Sequence, residues 1–166
     1  MRGILTFLLL VIGFWGYAQQ MEIQLGGMIT FDQSAFTIQN AGSDFAPNIE
    51  SEASFFVSVT SGDEWDKKTN PNRKWKIEVR KEDLNWDNNI QLEIIRAGNG
   101  TGEKNNNSNH VHDGNSYQTV REMPSYFFNG KGFVSDIPIQ VRLSGFSIVN
   151  GANDYETNVI LTIYDD

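Results

Sequence analysis

His110-Val111-His112-Asp113 is the one place in the chain whose residue types and spacing match metal ligation. If the backbone is extended there, two imidazoles two residues apart share one face. Imidazole suits zinc and its neighbours, and Asp113 adds an oxygen donor. A closed zinc site takes four ligands, and no further ligand stands at a telling spacing; a solvated loop is the simpler account. The same histidines with a carboxylate are the acid–base groups of a hydrolase, but no serine or cysteine framework surrounds them. Carboxylate pairs for glycoside hydrolysis occur at Glu50/Glu52, Asp63/Glu64/Asp66, Glu82/Asp83 and Asp165/Asp166. All fall in expected turns or at the chain end, where charge is simply hydrated. The acidic stretches Asp63–Asp66 and Asn153-Asp154 lack the spacing of a calcium loop.

Aromatic residues supply the other candidate chemistry. Trp65, Trp86, Tyr126, Phe127 and Phe128 are the set from which a sugar-stacking platform would be built. Trp65 and Trp86 sit in polar turns, where an indole either faces solvent or folds back over the edge of the core. Trp75 alternates in phase with Ile77 and Val79 and is expected inside. Two glycosylation sequons, Asn99-Gly100-Thr101 and Asn106-Asn107-Ser108, lie in an Asn-rich tract.

These groups are carried by short alternating segments. Met21–Phe31 alternates Met21, Ile23, Leu25, Gly27, Ile29 and Phe31 against polar or small residues, with a bend expected at Gly26-Gly27. Phe36–Ile38 is a short candidate strand, Gly42–Asn48 a loop, and Ser54–Thr60 a further strand. Lys74–Lys81 places Trp75, Ile77 and Val79 on one face and charges on the other, and Ile90–Arg96 repeats the pattern. Between them, Lys81–Asn89 reads as a polar turn pinned by Trp86. Ala97–Asn115 is almost wholly Gly, Asn, Ser, Thr and charge, a composition expected to form a mobile loop. Tyr117–Val120 and Tyr126–Phe128 precede two longer runs, Asp136–Ser144 and Thr157–Tyr164, which are expected to pair as a terminal hairpin across Asn150-Gly151. No mature segment of ten or more residues has helical apolar spacing. Seven to nine strands separated by turns imply an all-β fold, an antiparallel immunoglobulin-like sandwich in one domain over residues 19–166.

Arg2, the apolar run Ile4–Phe14 and the small residues around Gly16-Tyr17-Ala18 have the layout of a signal peptide over residues 1–18. The run is shorter than the roughly 20 residues a membrane span needs, so no span is expected after cleavage. The chain has no cysteine, which removes a lipid-attachment site and any disulfide framework. Without Arg2 there remain 12 Lys and Arg against 21 Asp and Glu, a net charge of −9. Such a surface repels phosphate backbones and anionic headgroups, which argues against nucleic-acid and membrane-surface partners.

The carboxyl-terminal stretch Asn150-Gly151-Ala152-Asn153-Asp154-Tyr155-Glu156-Thr157 followed by Asn158–Tyr164 resembles the final hairpin of secreted pilin-like sandwiches, including the spore coat protein U group. The resemblance covers the last quarter of the chain. Those subunits usually carry cysteines, which this chain lacks. It implies a pilin-like sandwich with no catalytic residues and no cofactor, acting as a surface, fimbrial or coat component. The expectation is an exported structural or adhesive module of the periplasm, cell surface or medium, self-associating through Met21–Phe31 or meeting other surface proteins. A glycan-binding module is the alternative, and a metal-dependent hydrolase the third. The mature protein is expected to begin at Gln19, read by intact mass or amino-terminal sequencing of the exported form; retention of residues 1–18 would contradict it.

Overall fold

The computed structural model describes residues 21–31, 43–52, 54–62, 67–68, 72–102, 110–150 and 153–166. The expected signal peptide, the Phe36–Ile38 strand and Trp65 lie outside these residues. The described chain is all-β. In order its strands are β1 (Met21–Gly26), β2 (Asn48–Glu50), β3 (Phe55–Ser61), β4 (Lys74–Asn85), β5 (Gln91–Arg96), β6 (Thr101–Gly102), β7 (His110–His112), β8 (Gln118–Thr119), β9 (Ser125–Lys131), β10 (Val134–Ser144) and β11 (Glu156–Asp165). A single 3-10 turn, Ile148–Asn150, precedes β11. No described helix is long and apolar enough to cross a membrane.

The strands form two antiparallel sheets. One follows the order β1-β3-β10-β5-β8, with β2 and β6 also paired to β10. The other follows β11-β4-β9-β7. Period-two alternation is what sends one face of each inward. In β4, Trp75, Ile77 and Val79 are fully buried, while Lys74, Lys76 and Glu78 face outward. Val57 and Val59 of β3, Leu92 and Ile94 of β5, and Ile137, Ile139 and Val141 of β10 meet them in one apolar cluster. Burial of each such side chain stabilises by roughly 1.5–3 kcal/mol.

The bulge in β9 breaks the alternation. Ile77 stands opposite Phe128 but Glu78 stands opposite Tyr126, so Phe127 is an extra residue. Phe127 and Phe128 are therefore both buried, packed edge to face at 4.9 Å, and Tyr126 turns outward. The Trp75 indole lies edge-on to Phe128 and donates its N–H to the Gly132 carbonyl at 2.7 Å. Beneath the indole sits Gly130, where a methyl group would run into the six-membered ring of Trp75 and approach the His110 carbonyl to 2.9 Å.

Several expectations are revised. The last two long strands do not form a hairpin: β10 lies at the centre of one sheet and β11 pairs with β4 in the other. Alternation tells which face of a strand is buried but not which strand lies beside it. The connection 145–155 is long enough to cross the roughly 10 Å between packed sheets. The strand expected over Met21–Phe31 ends at Gly26, where Gly27 adopts φ +94°, and Phe31 makes only an isolated bridge to Ser51. β4 continues to Asn85 through half of the expected turn. The described ends of the Ala97–Asn115 tract are also held in place: β6 pairs with β10, and β7 pairs with β9. Replacement Gly130→Ala should destabilise the fold by about 1–3 kcal/mol through overpacking. A denaturant midpoint matching the native protein's would disprove this account of the indole's seat.

Candidate interaction surfaces

Arg96 organises the ends of the Asn/Gly tract. It continues the inward phase of Leu92 and Ile94 and is only 8% exposed. Its Nε donates to the Asp113 carbonyl at 2.7 Å, and its Nη1 donates to the Gly98 carbonyl at 2.8 Å and to Asn99 Oδ1 at 2.5 Å. One guanidinium thus ties residues 98–99 to residue 113. Burial pushes its pKa down, with the Asp113 charge opposing that shift. Arg96 is not among the expected site residues, although its place in the alternation of β5 is a readable signal.

β7 projects His110 and His112 from the outer face of the four-stranded sheet, while Val111 packs inward against the core. The two rings are 5.9 Å apart between centroids. Asp113 does not join them as an expected third ligand. It occupies a left-handed turn position (φ +64°), gives its carbonyl to Arg96, and accepts the Tyr126 hydroxyl on Oδ2 at 2.5 Å. Asn129 Nδ2 donates to the same phenol oxygen at 2.7 Å. No group of three or more His, Cys, Asp or Glu placed to hold an ion forms among the described residues.

Among the described members of the expected aromatic set no platform assembles; Trp65 lies outside the described residues. Phe127 and Phe128 are core residues because of the β9 bulge. Trp86 folds back over the sheet edge: it donates its indole N–H to the Ile90 carbonyl at 2.7 Å and packs on the core, with the Lys81 ammonium 5.4 Å from its ring centre. Tyr126, 43% exposed, is the one member of the set that presents much of its face among the described residues.

Several described carboxylates serve turns and ion pairs, and of the expected turn carboxylates Glu50 lies in β2 and Glu82 and Asp83 lie in β4. Asp83 accepts from Lys81 at 2.5 Å and from Thr157 at 2.7 Å. Burial pushes its pKa up, but these bonds and the Lys81 charge outweigh that and hold it below the usual value. Glu93 is held down chiefly by the two hydrogen bonds from Arg142, at 2.9 and 3.0 Å, against the opposing effect of burial. Arg142 also lies 3.8 Å from the ring centre of Tyr117. Asp165 pairs with Arg73, and Asn85 donates to the Asp154 carbonyl at 2.5 Å.

Two openings are larger than these local contacts. A cleft of about 540 Å³ runs beside the paired Lys81 and Asp83, over Ile90, Leu92 and Val120, with Met123 on its lining. The second opening is a seam between the sheets on the side where β1 and β11 come together. Its upper part, about 310 Å³, is lined by Leu25, Ile29, Phe55, Val141, Val159 and Leu161. Its lower part, about 400 Å³, continues past Met21, Ile23, Leu161 and Ile163 to Arg73 and Asp165. Among the described residues, β1 pairs only with β3, and β11 only with β4. The seam is apolar in its upper part, carries Thr162, Arg73 and Asp165 among the lining of its lower part, and is bordered by two strands that each have one unpaired edge among the described residues.

No family model matches the chain, and neither the curated proteins nor the solved structures yield a match.

Tyr126 yields a pH-dependent prediction. Burial first, then the hydrogen bond and charge of Asp113, push its phenol from the ordinary 10.0 to about 12. The neutral phenol is the form favoured by folding, so its contribution is complete below pH 10 and is lost as pH rises through about 12. Tyr117 is also raised, chiefly by burial. An alkaline absorbance titration should therefore show a phenol at about 12 that is absent from Tyr126→Phe and shifted towards 10 in Asp113→Asn, with the Tyr117 signal retained in both. A titration above pH 10 that is unchanged by Tyr126→Phe would contradict the assignment.

Proposed function

We propose that this chain is an exported, non-enzymatic, immunoglobulin-like sandwich of the pilin-like kind, a structural or adhesive module that associates through its open seam. The observation that carries the reading is the pairing of an apolar seam with a long, weakly guarded edge strand. Natural edges are usually blunted by shortness, lysine, proline or bulges. β7 and β8 follow that rule by being short, with three and two residues. β11 is ten residues long, and its stretch Thr157–Tyr164 contains no charge, glycine or proline. Its one register shift lies at Glu156/Thr157, leaving the remainder regular. Such an edge suits strand addition, in which main-chain hydrogen bonds supply affinity and apolar side chains fill the adjoining seam. Leu25, 62% exposed, and Met28, 73% exposed, extend the apolar surface beside it. In this reading β1 stays in its own sheet, where its register with β3 runs from Met21↔Ser61 to Gly26↔Phe56, and serves as the seam's wall.

Sedimentation velocity over a concentration series should show association of the native chain. The double substitution Asn158→Lys with Thr162→Lys, at exposed β11 positions, should abolish it while changing stability by no more than about 0.5 kcal/mol per site. Leu25→Ser should weaken it. A native chain that stays monomeric at millimolar concentration, or edge-lysine variants that associate like the native chain, would refute the proposal.

A further inference from the structure

We infer that His110 and His112 are half of a tetrahedral site for a zinc-class divalent cation, completed by the same pair from a second copy of the chain. The two imidazoles leave one face of β7, a strand set by its register with Asn129–Lys131 and by Val111 in the core. Their backbone is thus positioned before any ion arrives. An imidazole bound at ~2.0–2.1 Å places its ring centre about 3.2 Å from the ion, so two rings at the tetrahedral angle have centres about 5.2 Å apart. The observed separation is 5.9 Å, and rotation of either exposed ring closes the gap. Neutral imidazole suits zinc, copper and nickel, whereas calcium and magnesium prefer oxygen.

Among the described residues the pair gains no third ligand from its own chain. Asp113 is committed to Arg96 and Tyr126, and no group of three ligating residues forms among the described residues. A closed tetrahedral site takes four protein ligands, so the missing two must come from elsewhere. A twofold-related copy supplies the same patch by symmetry. Among the described residues β7 ends its sheet, the edge at which a second copy would approach. The chain carries a formal net charge of −8, and a dication between two copies offsets part of their repulsion. β7 and β11 are opposite ends of the β11-β4-β9-β7 sheet, so this contact is separate from the seam and does not rest on the seam's role.

The test uses untagged full-length chain carrying Asn158→Lys and Thr162→Lys, which isolates this contact from the seam. Sedimentation is compared in EDTA and in zinc, with cobalt(II) absorbance as a second reading. The expected result is a doubling of mass at one ion per two chains, reversed by EDTA, with the intense visible bands of tetrahedral cobalt. His110→Ala and His112→Ala should each lose both signals, and Asp113→Ala should keep them. Ion uptake by a monomer, dimerisation that survives both histidine substitutions, or no uptake at micromolar zinc would each overturn the inference.

Discussion

The hydrogen bond from the Trp75 indole to the Gly132 carbonyl, 2.7 Å long, is the contact on which the two-sheet arrangement turns. Only Gly132 and Phe133 separate β9 from β10, yet those strands belong to different sheets. The chain therefore makes its corner there, and a corner in the interior leaves peptide groups away from water. Unpaired, such a group costs about 1–3 kcal/mol. The indole satisfies the carbonyl, and the Arg73 carbonyl accepts the Gly132 N–H at 2.8 Å. Because Trp75 is fully buried between Phe128 and Gly130, the same ring that fixes the corner also sets the spacing of the core.

From that corner β10 becomes the spine of the larger sheet. It pairs with β3 and β2 along one edge and with β6 and β5 along the other. The bulge between Val134 and Ile137, with Asp136 at φ +56°, lets the strand leave the corner and still deliver Ile137, Ile139 and Val141 to the core. Polar groups then secure the periphery: Arg96 joins the ends of the Asn/Gly tract, and Arg142 clamps Glu93 beside Tyr117. On the β1/β11 side the upper wall of the seam is apolar, from exposed Leu25 to buried Val141, and its lower end carries the Arg73–Asp165 ion pair.

The amino-acid sequence by itself determined the all-β, antiparallel character, most of the longer strands and most of the inward-facing residues. Trp75, Ile77, Val79, Leu92, Ile94, Ile137, Ile139 and Val141 were all legible, because burial of one face imposes a period of two wherever a strand covers a core. The common face of His110 and His112 follows from the same geometry once the backbone is extended, but their strand lies in a tract whose composition predicts a mobile loop. Arg96 was legible in phase but not in purpose, since its partners lie in a tract whose composition hides any order.

Tertiary structure alone decided which strands are neighbours. Alternation is a local property, whereas pairing depends on how distant segments meet, so nothing in β10 or β11 announces that they lie in different sheets. It also decided the fate of Tyr126-Phe127-Phe128: one extra residue in β9 sends both phenylalanines inward and the tyrosine out, an arrangement contrary to simple alternation. The seam was equally beyond local reading, because an opening between two sheets exists only once both have been placed.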